Sequence, residues 1–251
     1  PVVPDSATAG IELTEEGRFR ILEGVVDMGQ GNAATYLQMA GDILSQPPDN
    51  MVLVLPDTER TFPCGSASAS RTTYTFGNAL IAAAESLRNR LLARAADMLM
   101  IADPGELLLA PGIIRHLPTG REVPLARLGQ LLNPAERLAT SHFRAPVSKE
   151  AANPDANLRM HGFPHTIFSH AVHLARVEVD ELTGRIAVID YLTVSDCGRI
   201  INPQIFAGQQ EGGVVQGLVE GVGADADGGP AEVELADVDR VEGGVPGRRA
   251  A

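Results

Sequence analysis

The order of apolar and polar positions divides the chain into strands and helices. Ala9–Leu13 and Arg18–Val26 are apolar-rich runs on either side of Thr14-Glu15-Glu16-Gly17, a turn signal, and together predict a β-hairpin. Gly29-Gln30-Gly31 breaks the second run. Ala33–Leu44 then places Leu37, Ala40, Ile43 and Leu44 at helical spacing, with Asn32 as the expected N-cap. Met51–Pro56 is a short continuous apolar run suited to a buried strand. After the loop Asp57–Ser70, Ser70 is expected to cap a long Ala- and Leu-rich helix from Arg71 to about Met100.

Asp103-Pro104-Gly105 closes that region. Leu107–Ala110 and Ile113–His116 read as short strands, Pro124–Leu131 as a short helix and Ala139–Ala145 as another strand. The polar, turn-rich stretch Val147–Thr166 reads as a surface excursion. His170–Asp180 and Arg185–Val194 alternate around the turn Glu181-Leu182-Thr183-Gly184 and predict a second hairpin. Asn202 is expected to cap a helix opened by Pro203 and running to about Gly217. Leu218–Ala251 is acidic, Gly-rich and without an aromatic residue, so a disordered tail is expected there. These elements predict an α+β fold with mixed sheets, hairpins and one long helix. Two subregions are expected, residues 1–103 and 104–217, followed by the tail 218–251.

Composition narrows the function classes. The chain has 251 residues, 44% of them hydrophobic, enough to bury a sizeable core. The net charge is -12 and no run of Lys or Arg tracks a phosphate backbone, which argues against nucleic acid. No apolar run is long enough to span a bilayer. Cys64 and Cys197 lie far apart and form no CxxC, so no disulfide framework or cysteine-held iron–sulfur cluster is expected within the chain. A reducing, cytoplasmic setting follows as an expectation. Pro1 and the residues after it read like the interior of a longer protein.

Three constellations carry candidate chemistry. Gly29-Gln30-Gly31-Asn32 stands where a helix begins, so backbone N–H groups can meet an anion and Gln30 adds a side-chain amide. A Gly-rich strand-to-helix turn also occurs for purely structural reasons. Gly65-Ser-Ala-Ser-Ala-Ser-Arg71 offers small residues, three hydroxyls and a guanidinium able to neutralise phosphate. An ordinary flexible loop with a Ser cap accounts for it equally well. Gly208–Gly217 is a helix carrying Gly212, Gly213 and Gly217, each costing about 1 kcal/mol of helix propensity. That cost points to a ligand beside the helix or to tight packing.

Taken together and in order, these segments resemble the molybdenum-binding large subunits of the xanthine dehydrogenase and aldehyde oxidoreductase family. The family pattern G-x-x-[DE]-x-G-Q-G appears as Gly24-Val-Val-Asp27-Met-Gly29-Gln30-Gly31, with Gln38 in the following helix. Asp57-Thr58, Pro63 and the small-residue loop ending at Arg71 match the next segment. Ala175-Arg-Val-Glu-Val-Asp180-Glu-Leu-Thr-Gly184 matches the family's hairpin. Asp196-Cys-Gly-Arg-Ile-Ile-Asn-Pro203 and Gly208–Gly217 match the last two motifs. The resemblance covers about residues 5–217.

The resemblance implies a molybdenum–molybdopterin cofactor, as its cytosine dinucleotide in bacteria, with no direct protein ligand to the metal. It places Gln30 beside the molybdenum oxo group as the catalytic hydrogen-bond donor. Gly29 and Gly31 would line the pterin, Ala69, Ser70 and Arg71 would contact the pterin and its phosphate, and Gln216 would hydrogen-bond the pterin. The implied reaction hydroxylates an aldehyde or N-heterocycle with water as oxygen donor. Electrons would leave through iron–sulfur clusters and FAD on partner subunits.

The chain departs from the pattern in one respect that matters. The family's base glutamate, in a Gly-x-Gly-Glu motif, has no counterpart here, and the sequence after Gly217 matches nothing in the family. A shifted reading frame after residue 217 is the preferred explanation, and a naturally split subunit is the alternative. A non-catalytic remnant that keeps the fold without the cofactor is the rival function, and exposed surfaces predict poor solubility. Two other classes rest on less. His161, His165, His170 and His173 suggest a metal, but His170 and His173 fall on opposite faces of a strand. Ser66, Ser68 and Ser70 lack a nucleophile elbow or an ordered triad. Phe62, Phe163 and Phe168 are candidate pocket aromatics, with core packing as the alternative role.

Overall fold

The structure, a computed structural model, describes residues 6–68, 71–146 and 168–222. The chain divides into two compact units, Pro1–Thr166 and Ile167–Ala251.

The first unit is built on a four-stranded sheet in the order β3 (Met51–Val54), β2 (Phe19–Leu22), β1 (Ser6–Leu13), β7 (Leu138–Arg144). Strands β1 (Ser6–Leu13) and β2 (Phe19–Leu22) form the expected hairpin, with Leu13 opposite Phe19 and Ile11 opposite Ile21. Alternation puts Ala7, Ala9, Ile11, Leu13, Phe19 and Ile21 on one face, each at most 1% exposed. After β2 the chain passes through helix α1 (Asn32–Leu44) and returns as β3 (Met51–Val54), parallel to β2. A parallel neighbour needs such a crossover. Helix α2 (Gly77–Leu99) packs on β1 and against α1, burying Leu80, Ala83, Ala84, Leu87 and Leu91 completely. It is preceded by a π-helical turn, Thr72–Phe76, in place of a regular α-helical start.

The strands β4 (Leu107–Ala110), β5 (Ile113–His116) and β6 (Glu122–Pro124) form a small antiparallel sheet. Two short helices follow, α3 (Leu125–Leu131) and α4 (Pro134–Arg137). The expected strand at Ala139–Ala145 is β7 (Leu138–Arg144), and it pairs antiparallel with β1 from Ser6↔Arg144 to Glu12↔Leu138. Arg90 of α2 donates to the carbonyls of Ala135, Glu136 and Leu138, fixing the approach to that strand. These long-range ties correct the division expected after residue 103: residues 104–146 complete the first unit, and the compact units part after Thr166. Val147–Thr166, His161, His165 and Phe163 lie outside the described residues.

The second unit is a hairpin and a helix. Strands β8 (His170–Val179) and β9 (Ile186–Asp196) pair antiparallel around the expected turn, with an extra β9 residue where Arg176 opposes Asp190 and Val177 opposes Val188. Asn202 caps α5 (Pro203–Val222) as expected, its Oδ1 accepting from Ile205 N at 3.1 Å. Val188, Val214 and Leu218, joined by Tyr191, make the unit's core. The helix therefore continues five residues beyond Gly217, because Leu218 packs inward, and Leu218–Val222 is not the start of the tail. Residues 223–251 lie outside the described residues.

Candidate cofactor site

Because β2 and β3 are parallel neighbours, the loops leaving their carboxyl ends emerge on one edge of the sheet. One is the turn Glu23–Gly31 and the other is the loop that begins at Leu55, described as far as Ser68 and again from Arg71. In α/β arrangements that edge is where ligands bind. Three contacts tie these loops and the helical segments that follow them together. The Tyr36 hydroxyl on α1 donates to the Thr72 carbonyl at 2.8 Å, and Tyr36 stacks tilted on Phe76 at 4.7 Å. Gly24 lies so close to the second loop that a Cβ there would overlap the Phe62 carbonyl oxygen and strike Cys64 Sγ. The half-buried Phe62 reaches back over Gly10 of β1, so it serves packing.

The turn is organised by Asp27. Its carboxylate accepts from the backbone N–H groups of Gly29 at 2.9 Å, Gly31 at 3.2 Å and Ala33 at 3.1 Å. Partial burial pushes this carboxyl up, but donors from Ala33, Gly29, Gly31 and Asn32 outweigh burial and hold it below the ordinary range. The expected capping by the Asn32 side chain is thereby corrected. Gly31, left-handed at φ 81°, occupies the cap position, and the cap's acceptor is Asp27 four residues earlier. Asn32 is buried, with an Nδ2 that has no hydrogen-bond partner. An incoming anion would find the first N–H groups of α1 already taken.

Gln30 is folded into the same turn. Its Oε1 accepts from Met28 N at 2.6 Å, and its Nε2 donates one hydrogen to the Val26 carbonyl at 3.1 Å. Gly29 adopts φ +110°, with open space where a side chain would stand. Val26 and Met28 are exposed apolar residues beside it. In the second loop Arg71 folds over Gly65, where a Cβ would come within 2.5 Å of the guanidinium, and donates to Ser66 Oγ at 3.1 Å. Ala69 and Ser70 lie outside the described residues. Gln216 is exposed on α5 in the second unit. The structure thus brings Gly29, Gln30, Gly31 and Arg71 to one edge of the first unit.

Two acids define the chemistry beneath the turn. Glu23, fully buried, has neither carboxylate oxygen hydrogen-bonded. Burial, and secondarily the Asp27 charge, push its carboxyl up to about 7. Burial likewise pushes the Cys64 thiol up to about 11, leaving an unreactive thiol that donates to the Thr8 and Phe62 carbonyls. Glu23 was missed as a site residue at the sequence level. Its signal was there: Phe19, Ile21, Glu23 and Val25 are alternate positions, and one of them is an acid. Among the described residues no group of three or more His, Cys, Asp or Glu is placed to hold a metal ion, and no helix is long and apolar enough to cross a membrane. His173 instead meets the Tyr191 hydroxyl at 3.0 Å.

Comparison with known proteins now fixes the class. The molybdopterin cofactor-binding domain family matches residues 2–232, and the chain belongs to that family. The large subunit of nicotine 6-hydroxylase from Paenarthrobacter nicotinovorans is 30% identical over 217 residues, covering 86% of this chain and 25% of the relative. A probable hypoxanthine oxidase of Escherichia coli is 27% identical over 235 residues, covering 92% and 23%. Among solved structures, quinoline 2-oxidoreductase from Pseudomonas putida 86 shares the fold with a TM-score of 0.67 at 24% identity, covering 88% of this chain and 27% of that one. The aldehyde oxidoreductase of Desulfovibrio desulfuricans aligns at 26% identity with a TM-score of 0.65, covering 86% and 20%. The chain spans about a quarter of the length of the curated relatives it matches.

Proposed function

We propose that this chain supplies one wall of a molybdopterin site in a molybdenum hydroxylase that oxidises an aldehyde or N-heterocycle. The observation that carries it is the convergence of the Gly29-Gln30-Gly31 turn and the Arg71 loop at the carboxyl edge of β2 and β3. The residues fit the group. The buried Nδ2 of Asn32 has no partner among the described residues, and the cradle at Gly65 seats the Arg71 guanidinium where a phosphate can meet it. When bound, the cofactor supplies two-electron oxidation with water as the oxygen source.

The chain's own residues bind and orient. Gly29 and Gly31 let the ligand approach the backbone, and Gln30 Nε2 carries a second hydrogen to donate toward the reacting end of the cofactor. Arg71 offsets phosphate charge of the cytosine dinucleotide form, and Ala69, Ser70 and Gln216 are proposed as further cofactor contacts on the ordered motifs alone. The base glutamate comes from another segment of the same subunit. Iron–sulfur and FAD subunits take the electrons. We place the assembly in the cytoplasm, in keeping with Cys64 and Cys197 both being free thiols.

The test is the molybdenum and cytidine monophosphate content of the chain purified with its partners, after acid release. About one of each per chain is expected, falling at least about fivefold in Arg71→Ala, since removing a charge-assisted bond costs on the order of 1.5–3 kcal/mol. Neither component in the unaltered complex would reject the proposal in favour of a remnant without cofactor.

A further inference from the structure

The Glu23 carboxyl is a group in the first unit that folding alone does not explain. It stands in the inward row Phe19, Ile21, Glu23, Val25, whose members are 0%, 0%, 0% and 2% exposed. Its backbone is fixed, with N–H donated to the Val54 carbonyl at 3.2 Å and Gly24 pressed against the Phe62 backbone and Cys64 Sγ. Neither carboxylate oxygen finds a donor among the described residues. A charge left so, buried and without a donor, is strongly disfavoured, so the neutral acid is the form this packing accommodates.

Among the described residues, groups on three surrounding segments sense Glu23 electrostatically. The Tyr36 hydroxyl, from α1, is committed to the Thr72 carbonyl. The Cys64 thiol, from the second loop, is committed to the Thr8 and Phe62 carbonyls. Asp27, four residues on, is the charged one, and it clamps Gly29, Gly31 and Ala33. Glu23 is held on a strand end, whereas Asp27 sits on a partly exposed turn. If both acids are ionised, the turn is the part free to move.

We infer that Glu23 is a positioning residue for the cofactor-facing turn: its neutral form keeps the Asp27 clamp on Gly29, Gly31 and Ala33, and loss of its proton to solvent loosens that clamp. That the turn faces a cofactor rests on the proposed function; the coupling itself does not. The folded carboxyl titrates near 7, above its ordinary 4.5, so the folded state binds the proton more tightly. The clamp is therefore intact at the acid end of that window, and it weakens as pH rises through about 7.

Amide hydrogen exchange of the full chain at pH 6 and pH 8, corrected for intrinsic rates, tests this in the unaltered protein and in Glu23→Gln. Protection of Gly29, Gly31 and Ala33 is expected to fall by about tenfold or more in the unaltered chain. It should change less than about twofold in the variant, while α2 amides such as Leu87 keep their protection in both. Equal pH dependence of the turn in both proteins overturns the inference. Should Glu23→Gln fail to fold, the carboxyl carbon-13 resonance of Glu23 in the unaltered chain decides: a midpoint near 7 supports it and one near 4.5 overturns it. Neither readout involves molybdopterin, so a chain that never takes up the cofactor still decides the matter.

Discussion

The two units spend their apolar residues differently. In the first, strands, crossover helix and long helix converge on one core, and Phe19, Tyr36, Phe76, Leu80, Leu87 and Leu91 are fully buried. In the second, Val188, Val214 and Leu218 are the buried core, while the cross-strand pairs Val172↔Val194 and Leu174↔Leu192 keep four exposed apolar side chains on one face. A lone two-stranded hairpin is marginal in water, and burying three aliphatic side chains contributes only about 1.5–3 kcal/mol each. The glycines of α5 sharpen the contrast. A Cβ added at Gly208, Gly212, Gly213 or Gly217 would meet nothing within 4 Å, whereas one at Gly24 would overlap its neighbours. Tight packing within the described residues explains the glycine of the first unit and not those of the second. Glycine-rich sequence that looks alike therefore answers to different constraints in the two places.

Substitutions can break this comparison. Phe19→Ala in the first core should cost about 3–5 kcal/mol in chemical denaturation, and Val188→Ala in the second distinctly less. Equal losses would mean that the second unit is as well packed as the first. Gly24→Ala should destabilise by about 1–3 kcal/mol, because the opposing group is the Phe62 backbone and cannot turn aside. Glu23→Gln should raise stability by about 3 kcal/mol at pH 8 and hardly at all at pH 4, below the unfolded value of 4.5. Melting curves across that range check it, and a gain that does not depend on pH would contradict the buried ionisation. Smallest and opposite in sign to Gly24→Ala, Gly212→Ala should stabilise by about 0.5–1 kcal/mol through helix propensity alone. A loss there would reveal packing on α5 that the described residues lack.

Local pattern made the hairpins, α1, β3, α2 and the Asn202 cap legible, because each depends on periodicity or turn chemistry within a few residues. Partners distant in sequence were not legible. Nothing in Leu138–Arg144 says that it pairs with Ser6–Glu12, so the boundary expected after residue 103 fell inside one unit. The Asn32 cap was misassigned because Asn at a helix start is a strong local signal. Asp27 reaches the same N–H groups only because two glycines fold the chain back. At the candidate site the ordered motifs identified the family and named Gly29, Gln30, Gly31 and Arg71. They could not show that Gln30 folds onto its own turn or that an acid lies buried beneath it. The composition break at Gly217 suggested a helix end, yet Leu218 packs beside Val214 and carries the helix to Val222.

The claim that the carboxyl edge of β2 and β3 carries the cofactor wall is tested most directly by mapping amide exchange with and without molybdopterin in the assembled complex. The account predicts added protection concentrated in residues 24–33 and 62–72, at least about tenfold at Gly31 and Arg71. No change in those two segments on cofactor loading, with protection appearing elsewhere in the first unit, would contradict it.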